Sequence, residues 1–139
     1  MWFYVQRTGQ LYRDREIIGV GYSGKAEAKN DPAKQSAHNE GPIPCGQYSI
    51  GDPHDSHDHG PFVLPLAPAM DNQMFGRSAF LCHGDSLKDP GTASDGCIIM
   101  TRKVRETIAA SGDRELRVVA DPIQADSHMP EPYSSNKAV

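Results

Sequence analysis

Long apolar runs are missing: nothing in the 139 residues approaches the ~18 apolar residues of a membrane-spanning helix, so no span is expected. Basic clusters are missing too. The 14 Lys and Arg are scattered among 18 Asp and Glu, for a formal net charge of −4. Phosphate backbones demand a clustered basic face, so nucleic acid is not an expected partner. Cysteine is scarce. Cys45, Cys82 and Cys97 are an odd count without a C-x-x-C pair, which argues against zinc knuckles and thioredoxin-type motifs and leaves at least one thiol free. The N-terminal MWFYVQRTGQ lacks a basic stretch followed by an apolar one, so it does not read as a secretory signal. Synthesis in the cytoplasm is expected, and any export should use a route other than the general one.

What is present is turn chemistry. With 13 Gly and 11 Pro, the chain favours short strands joined by turns, and its length fits one domain. Strands are expected over 2–6, QLYR, 16–22, 47–50, 62–66, 79–83, 97–100 and 115–120, with Pro65 marking an edge. Residues 23–40 and 52–61 read as long polar loops. Thr101 is placed to cap a helix over 102–111, with Val104 and Ile108 on its buried face and Gly112 ending it. The expected fold is mostly β with one short helix. The domain should occupy 1–120, followed by a Pro-containing tail over 121–139.

The chemistry concentrates in His83-Gly84-Asp85-Ser86 and Ser94-Asp95-Gly96-Cys97-Ile98. A thiol becomes a useful nucleophile when a neighbouring imidazole takes its proton. His83 ends one strand and Cys97 begins another, so one sheet end can hold both. Gly84 and Gly96 remove Cβ atoms beside each group and let substrate backbone approach. Amides at Gly96 and Cys97 are the expected oxyanion donors. Strand alternation sends Cys82 to the core if His83 faces the site. Cys45, in a turn, reads as structural.

This text resembles the L,D-transpeptidase catalytic domain, marked by His-Gly, a spacer, then Ser-His-Gly-Cys and an aliphatic residue. The upstream Pro-x-Gly-x-Tyr-x-Ile pattern of that family is similar to Pro44-Cys45-Gly46-Gln47-Tyr48-Ser49-Ile50. Two departures stand out: Asp95 replaces the second histidine, and Ile99 stands where an arginine is common. The acidic residue resembles the branch of the family delivered as type VI secretion effectors. So do Gly21-Tyr22-Ser23-Gly24, Gly41-Pro42-Ile43-Pro44 and Phe75-Gly76-Arg77-Ser78.

The resemblance covers residues 1–120. It implies a β-sandwich-like domain and acyl transfer on peptidoglycan tetrapeptide stems, with loss or exchange of the terminal D-Ala. Cys97 would be the nucleophile and His83 the base, with Ser94 and Gly96 beside them; Ser94 is expected to orient the imidazole. Arg77, Gly84, Asp85, Asp95, Tyr22 and Ser23 would line the substrate site. Partners would be the stem peptide, the secretion machinery and a cognate immunity protein, with action in a target bacterium's periplasm. No cofactor is expected. Asp95 by itself disfavours a thiolate, because a nearby like charge raises a thiol pKa.

Two other readings compete. A wall-binding module would keep the fold without the chemistry. A metal-dependent hydrolase would use His54, His57 and His59 with Asp55 and Asp58, although their spacing fits no standard ligand arrangement, and a solvated loop lining the cleft suits them better. His38 reads as solvated.

Overall fold

A computed structural model describes residues 1–122. The first three strands, β1 (Trp2–Val5), β2 (Gln10–Arg13) and β3 (Glu16–Val20), form an antiparallel meander. Gly21 then breaks the expected 16–22 strand, and β4 (Tyr22–Ser23) leaves in a new direction. The 23–40 segment is a connection with two 3-10 turns, Ala26–Ala28 and Pro32–Lys34. After β5 (Gly46–Ile50) come β6 (His54–Ser56) and β7 (Gly60–Pro68). The expected loop over 52–61 is thus a short polar hairpin, with His54 opposite Val63. Its pairing is made by backbone, which polar side chains do not prevent. Next are β8 (Phe80–His83), β9 (Ile98–Ile99), the helix α1 (Arg102–Ser111) and β10 (Glu115–Val119).

The strand path runs β3-β2-β1-β10-β5-β7-β8-β9-β4, with β6 paired to β7. Its first and last members are consecutive in the chain, so the sheet curls into a nearly closed, barrel-like wall. The seam is tight. Gly21 N–H donates to Gly9 O at 2.8 Å, and a Cβ on Gly21 would fall 1.7 Å from the Ile99 carbonyl oxygen. Only glycine lets β3 turn into β4 against β9 there.

Trp2, Tyr4, Leu11, Tyr48, Leu64, Leu66, Phe80, Cys82, Ile98, Leu116 and Val118 fill the interior. Each large side chain removed from water contributes about 1.5–3 kcal/mol. β1 is buried on both faces, with Phe3 and Val5 in a second cluster with Tyr12 and Val119. α1 packs on β7 and β8 and delivers Ile108 to the core, with Val104 against its edge. Its ends are as the sequence indicates: the Thr101 hydroxyl accepts from Val104 N–H, and Gly112 at φ 73° ends it.

The mostly-β architecture with a short helix after Cys97 is therefore observed. Pro65 does not mark an edge, because β7 lies between β5 and β8. It sits just past the end of β5, where its carbonyl accepts from Gly51 N–H at 2.8 Å and its missing N–H costs nothing. The tail expected from 121 onward lies, beyond residue 122, outside the described residues. All three cysteines are free thiols.

Candidate active site

β8 and β9 run parallel, with Cys82 opposite Ile98 and His83 opposite Ile99. One step back, the register sets Cys97 beside Leu81. Leu81 and His83 share a face by strand alternation, so Cys97 and His83 are diagonal neighbours on the outer side. Such diagonal positions are about 7–8 Å apart, within the combined reach of an imidazole and a thiol. Cys82 and Ile98 take the opposite face, both in the core. Burial pushes the Cys82 thiol up to about 12, so it stays protonated.

The His83 ring has a fixed tautomer. Its Nδ1 lies 2.8 Å from the Gly84 carbonyl oxygen, which can only accept. Nδ1 therefore carries the proton, and Nε2 of the neutral ring holds a lone pair. Burial lowers the His83 pKa below the usual histidine range, opposed by that bond. Nearby His59 and Arg105 lower it further, and Asp85 acts the other way.

The Cys97 thiol is held above its ordinary value, chiefly by burial and also by Asp95. The Leu81 N–H beside the sulfur and the Arg77 charge pull in the opposite direction. Both shifts favour the neutral form, of the thiol and of the imidazole alike.

The turn before Cys97 is pinned from several sides. The Ser94 hydroxyl, fully buried, donates to Cys97 O at 2.5 Å and accepts from Gly24 N–H at 2.8 Å and Gly96 N–H at 3.1 Å. The expected contact between Ser94 and the imidazole is absent; the Gly84 carbonyl orients the ring instead. Of the two amides expected to serve an oxyanion, that of Gly96 is therefore engaged by Ser94. The Ser23 hydroxyl donates to Gly96 O at 2.9 Å and accepts from Ile43 N–H at 2.8 Å. With Ser23 at 0% exposure, no ligand reaches it, and its expected substrate contact is replaced by a structural one.

Arg77 is also spent on architecture. Nη1 donates to Gln35 O at 2.6 Å and Pro42 O at 2.9 Å, and Nη2 to Gly41 O at 2.9 Å and Asp95 O at 3.0 Å. The guanidinium lies over the Phe80 ring, 5.2 Å from its centroid. Four of its five N–H groups are used, so the bidentate fork expected to clamp a carboxylate is unavailable. Gly96 is glycine for the same reason: at φ 145° its Cβ would sit 2.4 Å from Arg77 Nη2.

Two clefts meet at this face. The smaller, about 310 Å³, is lined by Cys97, Gly96, Arg77, Phe80 and His38 among others. The larger, about 1030 Å³, runs past His83, Gly84, Asp85, Tyr22, Ile99 and the start of α1. His59 and Asp95 line both. The Asp95 carboxylate is exposed and pairs with Lys25 at 2.9 Å. Tyr22 donates to Asp85 at 2.6 Å and accepts from Ala93 N–H at 2.9 Å, while Asp85 also takes the Ser86 and Gly91 amides. This network braces the 84–96 loop and forms one wall of the larger cleft.

Three further side chains border these clefts; the sequence reading sets the His59 loop along the cleft and reads His38 as solvated, and both are exposed there, whereas it misses Arg105. His59 lies with its ring centroid 4.7 Å from that of His83. His38, expected to be solvated, bonds Phe75 O at 2.8 Å on the rim of the smaller cleft. Arg105 is buried beneath the larger one. Arg105 leaves a sequence signal: it shares a helix stripe with Ile108, three residues on, where a charged residue is unusual.

The His54–His59 run forms no ligand set. Among the described residues no group of three or more His, Cys, Asp or Glu converges for a metal, and His57 faces its neighbour Asp58 at the exposed surface.

No curated protein and no solved structure matches the chain. The family model of the Tlde1 domain, a type VI secretion effector domain, matches residues 18–122, from β3 through β10 and including both clefts. The chain therefore belongs to the Tlde1 domain family of type VI secretion effectors.

Proposed function

We propose that the chain is a cysteine-dependent acyltransferase that removes or exchanges the terminal D-Ala of peptidoglycan tetrapeptide stems, as an L,D-carboxypeptidase or L,D-transpeptidase. The observation that carries this reading is a His83 ring whose Nδ1 is tied to Gly84 O, leaving Nε2 as acceptor on the face that Cys97 shares. Nε2 takes the Cys97 proton as the sulfur attacks the carbonyl of the third stem residue. The Cys97 amide holds the developing oxyanion. His83 returns its proton to the departing D-Ala amine, and a thioester remains on Cys97. Water, a D-amino acid or a second stem amine then attacks the thioester, with His83 taking the incoming proton and the sulfur leaving. A neutral pair suits this cycle, because each proton moves only with bond making or breaking.

The effector family supports delivery into a rival cell, where loss of the terminal D-Ala removes donors for normal cross-linking. A cognate immunity protein covering the two clefts and action in the target's periplasm belong to the same proposal. The test is mass spectrometry of disaccharide-tetrapeptide incubated with the unmodified protein and with Cys97→Ala. Loss or exchange of D-Ala by the unmodified protein alone is expected, and the product mass names the acceptor. Equal turnover by both proteins would overturn the thiol mechanism. Binding by both without turnover would favour the wall-binding module.

A further inference from the structure

Arg105 is a buried cation without a buried anion. It is 6% exposed. Its Nε donates to Met100 O at 3.1 Å and Thr101 O at 3.3 Å, and Nη1 to Pro61 O at 2.9 Å and Phe62 O at 2.8 Å. Those carbonyls fix the plane of the guanidinium but cancel none of its charge. Nη2 has no protein acceptor among the described residues. It opens on the larger cleft at the Gly84 backbone, 2.9 Å from where a Cβ on that glycine would sit.

The acids around the cleft are committed elsewhere: Asp85 to Tyr22, Asp95 to Lys25, Asp58 beside His57, and Glu106 to Arg102. The same wall presents the N-terminal end of α1 through Thr101 and Arg102. Of the first-turn amides there, that of Val104 is taken by Thr101, and those of Arg102 and Lys103 have no intrahelical acceptor and attract negative charge.

We propose that Arg105 is the anion-binding residue of the larger cleft, taking the terminal α-carboxylate of the bound peptide on Nη2 beside the start of α1. The assignment rests on the peptide-stem reading above and adds a direction to it. With the acyl carbon at Cys97, the departing residue presents its amine to His83. Its carboxylate lies within the same residue and would enter the larger cleft, which His83 and Arg105 line together and Cys97 does not. Substrates with a free C-terminus would be selected, and chains continuing beyond that residue would lose the contact.

The experiment is an NMR titration of the Cys97→Ala protein with N-acetyl-D-alanine and with N-acetyl-D-alaninamide, repeated in an Arg105→Gln background. The acid is expected to shift the Arg105 Nε–H and His83 ring signals saturably, binding about tenfold more tightly than the amide, as a charge-assisted bond implies. Arg105→Gln is expected to remove that preference by weakening acid binding more than amide binding. Equal binding of acid and amide, or a preference that survives the substitution, would overturn the assignment. If Arg105→Gln does not fold, the acid-over-amide preference of the Arg105 protein decides alone. Turnover of the tetrapeptide without the preference would sink this inference and leave the function standing. The preference without turnover would do the reverse.

Discussion

Ser94→Ala separates an architectural serine from a chemical one. The hydroxyl is fully buried and engages three backbone groups: the Cys97 carbonyl and the Gly24 and Gly96 amides. Alanine removes one donor and one shared acceptor, leaving two N–H groups and one C=O to find other partners in a dry turn. An orphaned buried polar group costs ~1–3 kcal/mol. Relaxation of the turn and partial rebonding make the full sum too high, so a loss of about 3 kcal/mol is expected. For a domain of this size that is roughly a 10 °C fall in Tm. Thermal and urea unfolding followed by circular dichroism give the number directly. Turnover should fall because Cys97 is no longer held, while the pH at which His83 protonates stays where it was. A variant of unchanged Tm and lost turnover would refute the reasoning and return Ser94 to the imidazole.

Other outcomes follow from the same geometry. Because burial depresses the His83 pKa, the ring stays neutral down past the ordinary value of about 6.5. The acid limb of a pH–rate profile should lie below that value, since falling pH protonates the base; an acid limb above pH 7 would contradict it. The raised Cys97 pKa predicts slow iodoacetamide labelling at pH 7 that accelerates above about pH 8.5, read by intact-mass spectrometry. Cys82, in the core, should label only when the protein unfolds. Arg77→Met should cost about 3 kcal/mol or more in urea unfolding through four stranded carbonyls. A variant of normal stability with a raised KM would instead make Arg77 a substrate ligand.

What could be read in advance, and what could not, divides along sequence distance. The period of a strand is local, so sending Cys82 inward and His83 outward needed only two adjacent letters. Thr101 and Gly112 mark their helix by equally local rules. Ser23, Ser94 and Arg77 look like polar residues awaiting a ligand because their partners are far away in the chain: Gly96 is 73 residues from Ser23, and Gly41 is 36 from Arg77. No local pattern announces that a backbone carbonyl will arrive there. The His54–Ser56 strand was hidden for a different reason, since its pairing uses backbone while its side chains carry the polarity of a loop. Arg105 stood on the helix stripe with Ile108, but a buried arginine is legible only once its four carbonyl partners are seen.

The seam at Gly21 bears on how the protein comes to life. β9, with Cys97 just before it, has only two residues and is clasped between β8 and β4. β4 pairs with it from the other side of a long intervening segment, Ser23 opposite Ile98, so this closure belongs late in folding. Local units such as the β1–β2–β3 meander and the β6–β7 hairpin can form first and contain no complete site. The pairing of β8 with β9 sets Cys97 near His83, but the 94–97 turn is pinned by Ser23 and Gly24 at β4, so the site is complete only when the wall shuts. On the function proposed above, turnover would report the last step of folding.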